Sequence, residues 1–188
     1  MRKLRLQVQI SVDGFVSTGP NDEQHWVTWA WEEIKEHVLW LLDTSDTILI
    51  GRKLAMDYIP YWIDVNKQPD HEMYQVARRI TEMNKVVFSK SLNKSEWENT
   101  VIANGNLVEE VNKLKNAEGK DLIVYGGSSF VSSLIRENLV DEFHLFVNPV
   151  ALGNGGAIFS GLKDVQQLQF KQSVTFNCGI VLLVYMMK

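Results

Sequence analysis

Apolar residues occupy alternate positions over 4–10 (Leu4, Leu6, Val8, Ile10), the period of a strand with one buried face. Ser11-Val12-Asp13-Gly14 then reads as a turn, and Thr18-Gly19-Pro20-Asn21-Asp22 as a loop rich in helix and strand breakers. Over about 29–42 the spacing becomes helical, with Ile34, Val38, Leu41 and Leu42 on one face. Thr28 is the expected N-cap, with Glu32 and Glu33 in the first turns. Three short apolar runs lie further along, at 47–50, 85–88 and 121–125. They are too short for helices and rich in β-branched residues, so each predicts a buried strand. A weaker strand is expected at 100–102. Between the runs the pattern predicts a short helix from Gly51 to about Tyr58, ended by Pro60, and an irregular loop over 61–70. Helices are expected over 72–83, on Leu107, Val111 and Leu114, and on Phe130, Val131, Leu134 and Ile135. The chain continues with a strand at 142–147, a glycine-rich loop at 149–156 and a short apolar piece at 157–159. A hairpin of 166–176 and 179–187 is joined at Asn177-Cys178-Gly179. The expectation is a single α/β domain over 1–188. Its sheet is mixed but mostly parallel, with helices on both faces and a C-terminal antiparallel hairpin.

Composition narrows the function classes. The 188 residues carry a net charge of −4, which gives no reason to expect a nucleic-acid partner. One cysteine, Cys178, forms no internal disulfide, and the N-terminal residues lack the apolar run of a signal peptide. A cytoplasmic protein is expected, with no membrane span. His25, His37, His71 and His144 have no metal-like spacing, so no metal is expected. Of the six tryptophans, most are expected in the core; Trp26 sits in a loop before a helix and is a candidate to stack on a ring.

Three strand ends share a design. The first leads to Gly51-Arg52-Lys53, the second to Ser89-Lys90-Ser91, and the third to Gly126-Gly127-Ser128-Ser129. Ligands on α/β sheets bind at the carboxyl ends of strands. Two of the ends add fixed positive charge, and the third adds free amides at a helix start, a setting that favours an anion. Together they suit a ligand with several phosphates, such as a dinucleotide. Taken alone, Gly126-Gly127 is more simply a tight strand-to-helix turn, and Asp13 a turn-former. No G-x-G-x-x-G follows a strand, so the dinucleotide fingerprint is absent, as is the G-x-S-x-G frame around Ser128.

These residues taken together resemble the dihydrofolate reductase-like fold, in particular the C-terminal reductase domain of bacterial riboflavin biosynthesis proteins. The resemblance runs through Ser11 to Val16, Trp26-Val27-Thr28, Ser45 to Lys53, Tyr125-Gly126-Gly127-Ser128, Val140-Asp141-Glu142 and Pro149 to Gly156. It implies a three-layer fold and an NADPH-dependent oxidoreductase acting on a pyrimidine- or pterin-like small molecule, similar to 5-amino-6-(5-phosphoribosylamino)uracil reductase. By that likeness Gly51, Arg52, Lys53, Ser89, Lys90 and Gly126 to Phe130 (Gly126, Gly127, Ser128, Ser129, Phe130) bind the cofactor. Gln9, Gly14 and Trp26 line the substrate cleft, and Asp13 is the candidate catalytic group. A cis bond at Gly126–Gly127 and a homodimer are also implied. The chain departs from the riboflavin enzymes where Tyr58-Ile59-Pro60 stands for their Asp-Asp-Pro, and where the first helix carries Lys35 but no arginine. A true dihydrofolate reductase is the alternative within the enzyme class; it requires a buried carboxylate on the first helix, among Glu32, Glu33 and Glu36. A non-catalytic nucleotide-binding protein on the same fold is the alternative of another class.

Overall fold

The computed structural model describes residues 1–19 and 24–188; positions 20–22 of the expected breaker-rich loop lie outside them. The described elements are β1 (Leu4–Ser11), β2 (Phe15–Ser17), α1 (Trp31–Asp43), β3 (Ser45–Gly51), α2 (Arg52–Val65), α3 (Tyr74–Glu82), β4 (Asn84–Phe88) and β5 (Thr100–Ala103). They continue with α4 (Leu107–Asn116), β6 (Asp121–Val124), α5 (Ser128–Arg136), β7 (Glu142–Asn148), β8 (Gly156–Ala157), β9 (Leu168–Thr175) and β10 (Val181–Met187). The fold is α/β, with a mostly parallel eight-stranded sheet and a C-terminal antiparallel hairpin, β9–β10. The chain divides into two compact units, residues 1–2 with 37–127, and residues 3–36 with 128–188.

In the first unit the strand order is β5-β4-β3-β6, and every neighbouring pair is parallel. Ile48, Leu49, Ile50, Leu122, Ile123 and Val124 are wholly inaccessible to solvent, and Val86 and Val87 nearly so. Strands covered on both faces read as continuous apolar runs, which is why these three were visible in the sequence. The helix after β3 differs from expectation. It does not stop before Pro60 but runs to Val65, with Pro60 inside it. Ala55 and Ile59, one turn apart, are buried, as is Val65 in the last turn, whereas Pro60 and Met56 are exposed. The carbonyl that loses its amide partner to the proline ring therefore lies on the wet side, and the buried face carries the helix onward.

The buried Lys85 ends α3. Its ammonium donates to the carbonyls of Ile80 at 3.0 Å, Thr81 at 3.1 Å and Met83 at 2.7 Å, the last acceptors of that helix. A cation at a helix C-terminus also meets the negative end of the helix dipole. Burial nevertheless pulls its pKa down to about 8.

In the second unit the order is β1-β7-β10-β9, with β1 and β7 parallel and the rest antiparallel. The two-stranded β2–β8 sheet beside it was not expected from the sequence pattern. α1 begins at Trp31 rather than 29, and Thr28 is not its N-cap. The Thr28 amide instead donates to Asn148 Oδ1 at 2.8 Å, and the Ala30 carbonyl accepts from Glu33 and Ile34. Trp31 is core, but Trp29 and Trp40 are 61% and 44% exposed, against the expectation that most tryptophans are buried. The reason is spacing: neither falls on the Ile34, Val38, Leu41 stripe that α1 buries.

The parallel register sets Arg5 opposite Glu142 and Gln7 opposite His144. Glu142 accepts from Lys3 at 3.2 Å, lies 2.8 Å from His144 Nε2, and has Arg5 Nε at 3.9 Å. The hydrogen bond and charge interaction with His144, then the hydrogen bond and charge of Lys3, hold its carboxyl down to about 2 against the opposing pull of burial.

These buried charges lend themselves to two stability measurements. Lys85→Met leaves three carbonyls without their donor and is expected to cost about 1–3 kcal/mol in denaturant unfolding; an unchanged midpoint would show that the cap contributes nothing. Glu142→Gln removes a carboxylate whose contribution is complete above its ordinary pKa of 4.5 and is lost as pH falls towards 2. The variant is expected to be less stable at pH 7 by roughly 2–3 kcal/mol and to show a flatter acid limb over that window. A wild-type limb retained in the variant would contradict this assignment.

Candidate functional site

The first unit brings three predicted strand ends side by side. β4, β3 and β6 are consecutive in the sheet, Gly51 is level with Phe88, and Leu49 is level with Val124. Gly51, Ser89 and Gly126-Gly127 therefore leave the sheet along one carboxyl edge. Gly51 is the N-cap of α2 with extended backbone and offers no side-chain cap, so the first amides of a 14-residue helix keep no side-chain acceptor there. The first turn of α2 carries no acidic residue. Its first two residues, Arg52 and Lys53, are exposed, and neither makes a hydrogen bond or ion pair within the described residues. Two free cations and open amides make this helix start a strong anion-attracting point.

The second strand end is more occupied. Ser89 is buried, and its hydroxyl accepts from the Ser91 and Leu92 amides at 3.1 and 3.0 Å. The Lys90 ammonium donates to the carbonyls of Asn104 and Gly105 at 2.8 and 2.6 Å. Ser89 thus closes the turn after β4, and Lys90 ties that turn to the end of β5. At the third strand end the Gly126–Gly127 bond is cis. The two glycines differ. A Cβ on Gly126 would lie 3.3 Å from the Leu54 side chain on α2, so this glycine serves close packing. A Cβ on Gly127 would meet nothing within 4 Å, so its face is open.

The second unit holds Gln9, Asp13, Gly14, Trp26, Ser128, Ser129 and Phe130. Gly14 has φ +90° and closes a turn on the Ser11 carbonyl. Asp13 is a clamp. It accepts from Ser11 Oγ at 2.6 Å, the Gly153 amide at 2.6 Å and the Leu152 amide at 3.1 Å. These donors, Ser11 first, hold its carboxyl down to about 2. At neutral pH it is an acceptor with its lone pairs engaged, in no state to give up a proton. The loop that it holds packs tightly: a Cβ on Gly155 would lie 1.9 Å from the Ser17 carbonyl oxygen, and one on Gly156 would lie 3.0 Å from Ser128 Oγ. Asp13 thus fixes the glycine-rich loop, and the loop lies against the first turn of α5, where Ser128 is half-buried, Ser129 exposed and Phe130 half-buried.

Gln9 is held by Asn148, a fully buried residue that carries no signature in the sequence. Asn148 Nδ2 donates to Gln9 Oε1 at 2.8 Å, and its Oδ1 takes the Thr28 amide. Trp26 is half-buried in the loop before α1. The three glutamates on α1 have separate surroundings. Glu32 pairs with Lys35 at the surface, Glu33 accepts from the Asn177 and Cys178 amides at 2.5 and 3.3 Å, and Glu36 is exposed. Among the described residues no three of His, Cys, Asp and Glu come together as a metal-binding group, and no helix is long and apolar enough to cross a membrane.

The RibD C-terminal domain family matches residues 2–182. The chain belongs to that family. The protein YyaP of Bacillus subtilis (strain 168), described as uncharacterized, is 36% identical over 184 residues, covering 98% of this chain and 94% of its own length. YwjB of the same organism, also described as uncharacterized, is 25% identical over 184 residues and 96% of each chain. Among solved structures, a diaminohydroxyphosphoribosylaminopyrimidine deaminase/5-amino-6-(5-phosphoribosylamino)uracil reductase of Thermotoga maritima aligns with a TM-score of 0.71 at 17% identity. It covers all of this chain, which spans 57% of that one. A pyrimidine reductase-like protein of Corynebacterium diphtheriae NCTC aligns with a TM-score of 0.65 at 12% identity, over all of this chain and 92% of that one. At these identities the structural likenesses concern the fold. As a RibD C-terminal domain, the chain has a reductase-type scaffold.

Asp13→Asn tests the clamp within this scaffold. The amides of Leu152 and Gly153 are expected to exchange hydrogen at least several-fold faster, with little change in global stability because the group is exposed. Unchanged protection at both amides would remove Asp13 from that role.

Proposed function

We propose that this protein is an NADPH-dependent reductase of a pyrimidine- or pterin-like small molecule, working as one functional domain over 1–188 in the cytoplasm, and as a homodimer. The observation that carries the cofactor half is the pair of cations Arg52 and Lys53, without a partner among the described residues, on an uncapped helix start beside the open Gly127. An anion of high charge suits this donor set, and a buried apolar ligand does not. Gly51, Arg52, Lys53, Gly126 and Gly127 would hold the phosphates, with Ser128, Ser129 and Phe130 continuing along the cofactor. Ser89 and Lys90 would lie along its adenosine end, their side chains already engaged in keeping that loop in place. When bound, the reduced nicotinamide supplies the hydride. The chain's own contribution is orientation. Asn148 fixes Gln9 and the backbone before α1, and Asp13 fixes the loop under the first turn of α5. Gly14 supplies the turn that brings Asp13 back on Ser11, and Trp26 would border the substrate.

The substrate half rests on the RibD C-terminal family and on neighbours named for pyrimidine reduction. The α1 glutamates weigh against a dihydrofolate reductase: Glu33 is committed to the hairpin turn, Glu32 to Lys35, and Glu36 faces solvent. The occupied Asp13 is the observation that favours a non-catalytic nucleotide binder instead.

Thermal unfolding with each cofactor distinguishes these readings. NADPH is expected to raise Tm more than NADH, since a ligand of the folded state stabilises it in proportion to its affinity. Arg52→Ala should weaken NADPH by roughly 10- to 100-fold, the size of one charge-assisted hydrogen bond, and NADH less. No shift with either nucleotide would reject the proposal. Equal losses would show that Arg52 does not read the 2′-phosphate, and binding without oxidation by pyrimidine or dihydrofolate substrates would favour the non-catalytic reading.

A further inference from the structure

Asn148 does more than hold Gln9 in place: it decides which end of the Gln9 amide is offered. Asn148 is the last residue of β7 and is wholly inaccessible to solvent. Gln9 lies on the neighbouring strand β1, level with Phe146. Two backbone groups face the Asn148 amide, and each has a single role. The Thr28 N–H only donates, so the atom it meets at 2.8 Å is the Asn148 oxygen, Oδ1. The Phe146 carbonyl only accepts, so the atom 3.1 Å from it is the nitrogen, Nδ2. The same nitrogen lies 2.8 Å from Gln9, and a donor there requires the Gln9 oxygen, Oε1. The chain from Thr28 through Asn148 to Gln9 therefore has one direction, and the main chain sets it.

Gln9 is left with one free end. The residue is half-buried, and its Nε2 makes no hydrogen bond among the described residues. Nor is Nε2 one of the buried polar atoms that lack a partner, so a ligand or solvent reaches it. A side-chain amide ordinarily serves either partner, because a half-turn about its last bond exchanges donor and acceptor. Here a half-turn of Gln9 would set Nε2 against Nδ2, donor against donor. Asn148 cannot turn to relieve that contact. Its nitrogen would then oppose the Thr28 N–H and its oxygen the Phe146 carbonyl, both at a buried point where unpaired groups are costly. Gln9 is thus a donor only, with its acceptor spent inside the fold.

We propose that Gln9 is a specificity-determining residue of the substrate site, with Asn148 as the positioning residue that sets its polarity. The pair selects a substrate that presents a carbonyl oxygen to Gln9 Nε2 and rejects one that presents an amino group there. This rests on the reductase reading for the place of Gln9 beside the substrate, and adds to it the sense of one contact. A mismatched donor would face a donor that cannot turn away, which is a strong basis for rejection. An unrestrained glutamine would accept both.

The test uses the full chain in two arms. The first is NMR of side-chain amide exchange without ligand. The Asn148 protons are expected to be protected and the Gln9 protons to exchange freely. Asn148→Asp replaces the nitrogen with an oxygen, so Gln9 should turn and its protons should exchange at least several-fold more slowly. Protected Gln9 protons in the wild type, or no change in a folded Asn148→Asp, would overturn the proposal. The second arm leaves Asn148 untouched and measures binding of 5-amino-6-(5-phosphoribosylamino)uracil, with the NADPH-induced rise in Tm recorded beside it. Gln9→Met removes the donor and should weaken the probe about tenfold. Gln9→Glu still accepts from Asn148 but turns an acceptor outward, and should bind more weakly than Gln9→Met. Equal affinity in all three proteins, or tighter binding by Gln9→Glu than by Gln9→Met, would overturn the proposal. If the wild type responds to NADPH but does not bind the probe, the proposal fails and the cofactor reading stands. If it binds the probe in the expected order but shows no response to NADPH, the Gln9 contact stands and the reductase reading fails.

Discussion

The shared carboxyl edge of β4, β3 and β6 is the constraint on which the proposed phosphate site depends. These strands are buried on both faces, so their register is fixed by packing as well as by main-chain hydrogen bonds. A slip by one residue would exchange the faces of every side chain. Because Gly51 is level with Phe88, and Leu49 with Val124, the chain leaves the sheet three times along one line. Local sequence then sets the character of each exit: an uncapped helix with two cations, a loop tied down by Lys90, and a glycine pair. The apolar runs do not themselves bind anything. They determine where the charges and open amides of the three exits are presented.

The second unit stabilises its loops by a different means, with buried or fully engaged polar groups at fixed points. Asn148 holds Gln9 and the Thr28 amide, and Glu142 gathers Lys3, His144 and Arg5. Asp13 holds two amides of the glycine-rich loop. Carboxylates that accept several hydrogen bonds in the folded state are ionised to low pH, and both Asp13 and Glu142 obey that rule. The same bonds that make Asp13 a firm anchor remove it as a proton donor. A reductase built on this scaffold would act through orientation and the cofactor's own chemistry, with no protein carboxylic acid drawn from Asp13.

The strands of the sheet and most helices were legible because their apolar residues repeat with a clear period. Where the period was interrupted, the reading failed for physical reasons. Pro60 signalled a helix end, but it lies on the exposed side of α2, and the buried Ile59 and Val65 on either side of it keep the helix intact. β2 and β8 span three and two residues, too short for any pattern to show. The strand-end motifs were visible as motifs, while their occupancy was not. Nothing in Ser89-Lys90 announces that the hydroxyl and the ammonium are spent on loop backbone, because only the fold brings the Asn104 and Gly105 carbonyls to Lys90. Asn148 was hidden for the same reason: a lone asparagine at a strand end has no signature until Gln9 and Thr28 are brought to it.

The central claim is that the carboxyl edge of β4, β3 and β6 holds a nucleotide's phosphates. A crystal structure of the protein with NADPH tests it most directly. The expected result is phosphate density within hydrogen-bonding reach of the first amides of α2 and of Gly127, with the Arg52 guanidinium or the Lys53 ammonium turned onto it. Ordered NADPH bound away from that edge, with Arg52 and Lys53 still free in solvent, would contradict it.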